Sequence, residues 1–314
     1  MGYGKIKRNF KYIDMKDLII IGAGPAGCSA GIYAARKKMD TLLIARDFTG
    51  QIALTHRVEN YPGIKEISGL NLVKQFEDHL RSTDIEIKPF EEVLGIKGDK
   101  DRFLVDTDGG QYESRAVIVA TGSTPKKLGV ENEERFLNKG ISYCVTCDGV
   151  SFEDKDVAVI GGGNAGLEAV LQLSRFVKKV YLFECRDNLT ADGILIDRMG
   201  ERDNVDIITS STIKSFEGED RLEKIVYEVN GRDEEVLVDG CFVEIGSVPN
   251  TGFLEGFVEL NKKGEVVVNP ATFQTSQEGI FAAGDIVDFK DKQVVIATGQ
   301  GAVAALSVFR YLEC

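Results

Sequence analysis

Two cysteines separated by two residues, Cys144 and Cys147, are the first candidates for chemistry in this chain, and an acid, Asp148, follows them directly. A cysteine pair at this spacing can be half of a zinc site, a structural turn or a redox disulfide. Zinc needs two further ligands at a suitable spacing, and the sequence contains no second C-x-x-C. His56 and His79 are far away in sequence. No metal site is therefore predicted, and the rest of the chain must decide between the other two interpretations.

Two glycine-rich turns provide the setting for this cysteine pair. Each has the pattern G-x-G-x-x-G between a short apolar strand and a helix, namely Gly22, Gly24 and Gly27 in the first copy and Gly161, Gly163 and Gly166 in the second. Two dinucleotide-binding folds in one chain are the economical interpretation, and one working copy with one decayed copy is the alternative. A C-x-x-C pair in such a chain is expected to be a redox disulfide, because its thiols can have a depressed pKa.

Composition limits the classes of function. The chain has 314 residues, enough for two domains of ordinary size, and a net charge of −12. That charge argues against nucleic acid and anionic membrane partners, because phosphate binding needs a basic face. No apolar run approaches the roughly 20 residues that span a bilayer, and residues 1–15 are predicted to be a short tail without a signal peptide core. Six cysteines without a secreted disulfide framework favour a cytoplasmic location.

Eight motifs, in order from about residue 16 onward, resemble those of low-molecular-weight thioredoxin reductases, which are FAD-dependent pyridine nucleotide-disulfide oxidoreductases. They are GAGPAG (22–27), GQ (50–51), VENYPG (58–63), ATGSTPKKLGV (120–130), GISYCVTCDG (140–149), GGGNAG (161–166), VPNTGFL (248–254) and GIFAAGDI (279–286). The resemblance implies an α/β fold of two Rossmann-like dinucleotide-binding domains, each of three-layer ββα type, with the second inserted into the first. It assigns residues 1–124 and 250–314 to the FAD-binding domain and 125–249 to the inserted nicotinamide-type domain.

The resemblance places FAD at the first glycine turn, where backbone N–H groups and the helix dipole suit a pyrophosphate. Asp47, twenty residues after Gly27, lies where an acid could meet a ribose hydroxyl, with a solvated loop acid as the alternative. A final helix starting near residue 293 would point its N-terminus at the flavin. The predicted FAD-binding residues are Gly22, Gly24, Pro25, Ala26, Gly27, Asp47, Gly50, Gln51, Asn60, Ala120, Thr121, Gly122, Gly284, Asp285, Gln293, Val294 and Val295.

The same resemblance gives roles to the opening segment. Cys147 would contact the flavin, and Cys144 would attack the substrate disulfide and form the mixed disulfide. Asp148 would protonate the departing thiolate. The alternative for Asp148 is a turn residue before Gly149.

The chain departs from the family in its nicotinamide site. Members that use NADPH carry His-Arg-Arg-x-x-x-Arg after the second strand of the inserted domain, and here residues 184–190 read ECRDNLT, leaving only Arg186. Glu184 stands where an acid would bind a free ribose 2′-OH and repel a 2′-phosphate. NADPH is therefore disfavoured, which leaves NADH or a ferredoxin-type carrier without nicotinamide. The predicted residues of this site are Gly161, Gly163, Asn164, Ala165, Gly166, Glu184 and Arg186.

The predicted function is that of a flavoprotein disulfide reductase. Electrons would pass through FAD and the Cys144–Cys147 disulfide to thioredoxin or a thioredoxin-like protein, with NADH as the favoured donor. Rival hypotheses are a peroxiredoxin or glutaredoxin-like acceptor, an oxidase that forms disulfides with O₂, and a flavin redox sensor without turnover. A homodimer is expected because relatives usually form one, and the inserted domain would rotate about hinges at TGS and VPN.

Overall fold

The computed structural model describes residues 15–54 and 58–313, which form two compact units. The first unit comprises the described residues up to Phe48, Phe76–Gly122 and those from Thr251 onward, and the second comprises Thr49–Gln75 and Ser123–Asn250. The boundaries after Gly122 and Asn250 lie within two residues of the predicted domain boundaries. The prediction differs for residues 49–75, which the motifs assign to the first domain and which group with the second unit. Of the predicted tail, only Met15 is among the described residues.

The secondary structure follows the β-α-β order that both glycine turns predict. In chain order the elements are β1 (Lys16–Ile21), α1 (Pro25–Arg36), β2 (Thr41–Ala45), α2 (Gly69–Arg81), β3 (Glu86–Pro89), β4 (Val93–Asp99), β5 (Arg102–Thr107), β6 (Gln111–Val119), β7 (Ser123–Pro125), β8 (Ile141–Ser142), α3 (Val145–Asp148), β9 (Asp156–Ile160), α4 (Asn164–Leu173), β10 (Lys179–Phe183), α5 (Gly193–Gly200), β11 (Val205–Ile208), β12 (Ser211–Glu217), β13 (Lys224–Val229), β14 (Arg232–Leu237), β15 (Gly240–Val243), β16 (Ser247–Pro249), β17 (Ile280–Ala282) and α6 (Val294–Glu313). Short 3₁₀ helices cover Gln51–Leu54, Gly149–Phe152 and Gly252–Leu254.

The first unit is built on one mixed sheet of order β3-β2-β1-β6-β5-β4, with β17 also paired to β6. Strands β3, β2, β1, β6 and β17 run parallel, whereas β4, β5 and β6 form an antiparallel meander. Strand β6 belongs to both parts, since Gln111–Ser114 pair with β5 and Ser114–Val119 pair with β1. Leu18, Ile19 and Ile20 of β1 are fully buried, as the continuous apolar run predicts for a central parallel strand.

Helix α6 packs against α1 in the first unit. A Cβ added at Gly301 would lie 2.0 Å from the carbonyl oxygen of Ala26, so the two helix backbones approach closely. Ala304, Ala305 and Val308 of α6 are fully buried. By length and composition α6 could also cross a membrane, which corrects the expectation that no apolar run approaches that length. Its packing is that of a core helix.

The second unit has a parallel sheet of order β11-β10-β9-β15-β8 and an antiparallel sheet of order β12-β13-β14. Side chains of β9 alternate between two cores: Val157 and Val159 pack with apolar residues of α4, and Ile160 packs with Phe216 and Ile225 of the antiparallel sheet. This period-two alternation places helices on one face of the parallel sheet and the antiparallel sheet on the other. The predicted fold class, an α/β fold of dinucleotide-binding units in three ββα layers, is confirmed.

One segment with the composition of a strand does not form one. The sequence GEVVVN, residues 264–269, has the β-branched composition of a strand, yet Val266 makes only isolated bridges, to Leu260 and Val287. Strand propensity reflects the packing of side chains on neighbouring strands, and this segment meets a neighbour at single positions only.

Candidate active site

Cys144 and Cys147 form a disulfide at the start of α3, with their Cα atoms 5.3 Å apart. Cys144 is the N-cap of this single-turn helix, and its Sγ accepts a hydrogen bond from the N–H of Cys147 at 3.2 Å. The carbonyl oxygen of Cys144 accepts from the N–H of Asp148 at 3.1 Å. All three side chains are half-buried, so the pair that the spacing predicts lies together in one partly accessible turn.

Ser142 connects Asp148 to the backbone of this turn. Its hydroxyl donates to Oδ2 of Asp148 at 2.5 Å, and its Oγ accepts from the N–H of Cys144 at 3.1 Å. Ser142 is the last residue of β8, and only 6% of its surface is exposed. Sequence reasoning missed this residue, although a hydroxyl two positions before a C-x-x-C-D segment was a visible signal. Among the described residues, no three His, Cys, Asp or Glu side chains are grouped to hold a metal ion.

The first glycine turn is closely packed on its strand side and open at the start of α1. A Cβ at Gly27 would lie 1.9 Å from the carbonyl oxygen of Gly22, and a Cβ at Gly22 would lie 2.4 Å from that of Ala120. At Gly24, the N-cap of α1, an added Cβ would meet nothing within 4 Å, and no side chain caps the helix. Free space beside uncapped N–H groups is what a dinucleotide pyrophosphate requires, so the predicted residues fit FAD.

Gly284, another predicted FAD residue, lies beside this turn. The N–H of Gly284 donates to Oε1 of Gln300 at 2.8 Å, and a Cβ at Gly284 would lie 3.0 Å from the Cβ of Ala26. Burial raises the pKa of Asp285, and the charge of Lys292 partly offsets that rise. Thr121 and Gly122 follow β6, Pro25 and Val294 are the first residues of α1 and α6, and Gln293 and Val295 flank the start of α6. The sequence analysis did not identify Gln300 as the partner of Gly284.

The remaining predicted FAD residues are Asp47, Gly50, Gln51 and Asn60. Gly50, Gln51 and Asn60 belong to the second unit, where the Nε2 of Gln51 donates to the carbonyl oxygen and the Oγ of Ser123 at 2.5 and 3.0 Å. Asp47 lies two residues beyond β2, and its carboxylate forms an ion pair with Arg46 at 3.5 Å. Their FAD contacts therefore stay predictions.

The second glycine turn repeats the geometry of the first. A Cβ at Gly166 would lie 1.7 Å from the carbonyl oxygen of Gly161. Gly163 is the N-cap of α4 without a side-chain cap, and only the Oγ1 of Thr190 comes within 4 Å of its added Cβ position, at 3.8 Å. Asn164 is tied to Asp192 by two hydrogen bonds of 3.0 and 2.8 Å, and the adjacent Ala165 is exposed. This unit can therefore also receive a dinucleotide at a helix start.

Glu184 immediately follows β10 and points its carboxylate at this turn. Its Oε2 accepts from the N–H of Gly162 at 2.7 Å, and its Oε1 accepts from the N–H of Arg186 at 2.9 Å. Burial tends to raise the pKa of Glu184, but these backbone donors together hold that pKa below its ordinary value. The site thus contains an ionised acid at neutral pH, and the exposed Arg186 is the one member of the NADPH-type arginine patch that the sequence retains.

Two dinucleotide-type units, one of them carrying a C-x-x-C disulfide, define the fold of a flavoprotein disulfide reductase. The family model described as pyridine nucleotide-disulphide oxidoreductase matches residues 16–303. The chain belongs to this family, as its motifs predict, and membership implies FAD and a nicotinamide cofactor.

Relatives of the chain carry two different names. A thioredoxin reductase from Streptococcus pyogenes has a TM-score of 0.89 and 36% identity, over 95% of this chain and 98% of that one. A thioredoxin reductase from Giardia duodenalis has a TM-score of 0.90 and 29% identity, over 96% and 99%. The F-type component of the alkyl hydroperoxide reductase of Staphylococcus epidermidis is 42% identical over 302 residues, 95% of this chain and 59% of that protein. The chain thus spans about three fifths of the length of the curated relatives it matches.

Proposed function

We propose that this protein is an FAD-dependent reductase that passes electrons from NADH through the Cys144–Cys147 disulfide to thioredoxin or a thioredoxin-like protein. The observation that carries this proposal is the half-buried disulfide beside Asp148, in a unit whose glycine turn also holds an ionised acid, Glu184. The fold and the family supply the oxidoreductase class, and these side chains supply its specific chemistry.

The chain's own residues account for each step at the disulfide. The turn of Gly22, Gly24 and Gly27 would hold FAD, which supplies two-electron transfer between nicotinamide and disulfide when bound. In the reduced pair, the thiolate of Cys144 attacks the partner disulfide and displaces one partner sulfur, which takes a proton from Asp148. The thiolate of Cys147 then attacks Cys144, re-forms the internal disulfide and releases the second partner sulfur.

Glu184 supports NADH over NADPH as the donor. An ionised carboxylate accepts a hydrogen bond from a ribose 2′-OH but repels a 2′-phosphate in the same place. A single exposed arginine, Arg186, could bind one edge of a 2′-phosphate. The carboxylate of Glu184 would compete with that phosphate for the positive charge of Arg186. The backbone bonds from Gly162 and Arg186 keep the acid at the turn, so it cannot easily rotate away from an incoming phosphate.

The partner is proposed from the relatives. The thioredoxin reductases that the fold matches support a thioredoxin-type acceptor. A homodimer and a cytoplasmic location are part of the proposal, and they rest on the motif resemblance and on six cysteines without a secreted disulfide framework. The 42% identity to the F-type component of an alkyl hydroperoxide reductase favours a second candidate, a disulfide carrier or peroxiredoxin of a peroxide-reducing system. Both acceptors would receive electrons from the same two cysteines.

The test first mixes the FAD-loaded protein anaerobically with NADH, NADPH or a reduced ferredoxin and follows the loss of flavin absorbance. Oxidised thioredoxin is then added, and the thiols that form in it are counted. We expect bleaching by NADH and dithiol formation in thioredoxin. Cys144→Ser and Cys147→Ser should still bleach but lose thioredoxin reduction by at least about 10³-fold. Glu184→Gln should lower the preference for NADH over NADPH by about tenfold or more.

Controls separate the parts of this proposal. Glu201→Gln, which changes an exposed acid at the end of α5, should behave as wild type. Bleaching by NADPH alone would contradict the role of Glu184, and bleaching by ferredoxin alone would replace the nicotinamide donor. Undiminished thioredoxin reduction in both serine variants would refute the reductase mechanism.

A further inference from the structure

Gly162 is the second residue of the second glycine turn, and it is not one of the three glycines of the motif. Its backbone angle φ lies outside the left-handed region, so the backbone conformation itself does not require glycine there. The reason for a glycine at this position must therefore be the space around it.

Glu184 and Leu189 fill the space that a side chain at residue 162 would need. A Cβ added at Gly162 would lie 2.6 Å from Oε2 and 3.0 Å from the Cβ of Glu184, and 2.8 Å from Cδ2 of Leu189. The loop after Glu184 is fastened to the turn, because the N–H of Thr190 donates to the carbonyl oxygen of Gly162 at 2.8 Å. Only a residue without a side chain lets Oε2 of Glu184 reach the N–H of Gly162 at 2.7 Å.

The first glycine turn has a different pair of residues in the same places. In each copy the first glycine of the turn donates its N–H to a carbonyl oxygen of the neighbouring strand, at 2.8 Å and 2.9 Å. The residues that follow in turn and strand therefore correspond, and in the first copy they are Ala23 and Ala45, each 4% exposed. In the second copy they are Gly162 and Glu184. A methyl group in the turn thus occurs with a short strand residue, and glycine occurs with the long acid.

The carboxylate of Glu184 is held by donors on both oxygens, and the residue is only 7% exposed. Oε2 accepts from the N–H of Gly162, and Oε1 accepts from the N–H of Arg186 at 2.9 Å and from the thiol of Cys185 at 3.3 Å. A carboxylate can accept about four hydrogen bonds, so a ribose hydroxyl can join these three donors. The acid is therefore already oriented for a ribose before a dinucleotide binds.

We propose that Gly162 is a positioning residue for nicotinamide specificity: its lack of a side chain sets the place of the Glu184 carboxylate, and thereby the preference for a free ribose 2′-OH over a 2′-phosphate. This inference rests on the proposed function, in which NADH reduces the flavin. In Gly162→Ala the new methyl group takes the place of Oε2. Because Oε2 ends a flexible side chain, the carboxylate moves away while the backbone of the turn keeps its position.

The displaced acid should change how tightly NADH binds and not how fast bound NADH reacts. The 2′-OH is remote from the nicotinamide ring and keeps the same bond throughout the reaction, so loss of that bond raises the half-saturation concentration and leaves the saturated rate unchanged. We expect the half-saturation concentration of NADH to rise on the order of tenfold in Gly162→Ala. The preference for NADH over NADPH should fall by at least the same factor, because NADPH has no free 2′-OH to lose.

The experiment mixes FAD-loaded wild type, Gly162→Ala, Glu184→Gln and the double variant anaerobically with a series of NADH or NADPH concentrations. Flavin bleaching gives the saturated rate and the half-saturation concentration, and calorimetric titration with NAD⁺ and NADP⁺ measures binding without electron transfer. In the Glu184→Gln background, Gly162→Ala should change the preference by less than about twofold, because it acts through the carboxylate. Gly200→Ala is the matched control in the same unit, since its added Cβ meets nothing within 4 Å, and it should match wild type.

An unchanged preference in Gly162→Ala would overturn the proposal, and so would an equal fall in the Glu184→Gln background. If Gly162→Ala does not fold, Gly162→Ala combined with Leu189→Ala removes the second close contact and keeps the one with the acid. That variant should show the same fall relative to Leu189→Ala alone. A wild type that binds neither NAD⁺ nor NADP⁺ would overturn NADH as the donor and this inference with it. A wild type that prefers NAD⁺, with the preference kept in Gly162→Ala, would overturn this inference alone.

Discussion

Ser142 gives Asp148 a fixed place in the turn that holds the cysteines. Its hydroxyl donates to Asp148 and its oxygen accepts from the N–H of Cys144, so one side chain ties the proposed proton donor to the backbone of the attacking cysteine. Positioned proton transfer contributes about 10² to 10⁴ in rate, and it depends on the carboxyl staying within reach of the leaving sulfur. Ser142 should therefore affect the step at the protein partner and not the arrival of electrons.

Ser142→Ala should slow reduction of thioredoxin by about tenfold, because Asp148 loses the bond that orients it. Reduction of the flavin by NADH should be unchanged, and the free energy of unfolding should fall by about 1 kcal/mol for the lost buried hydrogen bond. Single-turnover kinetics of each half-reaction, with thermal unfolding alongside, measures both effects.

Ser151→Ala is the matched control, because Ser151 is exposed and lies only nine residues further along. It should change neither half-reaction. Slowing of both half-reactions in Ser142→Ala would show that the serine supports the fold of the unit and not the position of Asp148.

Residue types and spacing could predict part of the candidate site, namely the cysteine pair, Asp148 and Glu184. These residues are readable because each lies at a set distance from a glycine turn or from a cysteine. The contact of Gln300 with the N–H of Gly284 was not readable, since 16 residues separate the two and they meet only in the folded unit. Contacts of this kind leave no local pattern in the sequence.

The two glycine turns are the elements most sensitive to change. In both copies the third glycine lies under the carbonyl oxygen of the first, at 1.9 Å for an added Cβ in one turn and 1.7 Å in the other. Backbone atoms cannot yield as a flexible side chain can, so a methyl group there must displace the helix from its strand. The turn and the helix start would then lose the arrangement that suits a pyrophosphate.

Gly27→Ala should therefore abolish FAD retention, and Gly166→Ala should abolish reduction by NADH while FAD stays bound. The cost in local stability is on the order of 3 kcal/mol in each case. Flavin absorbance after desalting measures the first outcome, and anaerobic bleaching measures the second.

Gly299→Ala and Gly193→Ala provide a control in each unit, because an added Cβ at either position meets nothing within 4 Å. Both should keep flavin and activity. Loss of FAD from Gly166→Ala with retention in Gly27→Ala would reverse the assignment of the cofactors to the two turns.

At the level of elements, the sequence was most informative where one pattern decided the structure. The apolar run before Gly22 and the small residues after it predicted β1 and α1, and α1 begins at Pro25, inside the motif itself. The Val-rich segment around Val266 has the composition of a strand but forms none, because composition cannot show whether a neighbouring strand is available. The grouping of residues 49–75 with the second unit likewise depends on contacts distant in sequence.

On the scale of the whole molecule, each unit has its own core, and a cofactor should stabilise the unit that binds it. Removing FAD should accelerate hydrogen exchange in β1 and β6 but not in β9 and β10, because binding adds about 2.7 kcal/mol at a ligand concentration 100 times the Kd. Hydrogen exchange with mass spectrometry on the FAD-loaded and stripped protein measures this by strand.

Addition of NADH to the protein should slow hydrogen exchange in β9 and β10. Equal acceleration in the strands of both units on removal of FAD would contradict the assignment of FAD to the first glycine turn alone.

Strand β17 pairs with β6, in register from Ile280 opposite Val117, although all of Ser123–Asn250 lies between them in the chain. During translation the ribosome therefore makes the whole Ser123–Asn250 segment before it supplies β17 and α6. Until then a nascent chain carries β1, α1 and β6 without their last sheet neighbour and without the helix that covers α1. The order of synthesis thus leaves the edge of β6 and the packing face of α1 without their final neighbours until the segment after Asn250 has been made.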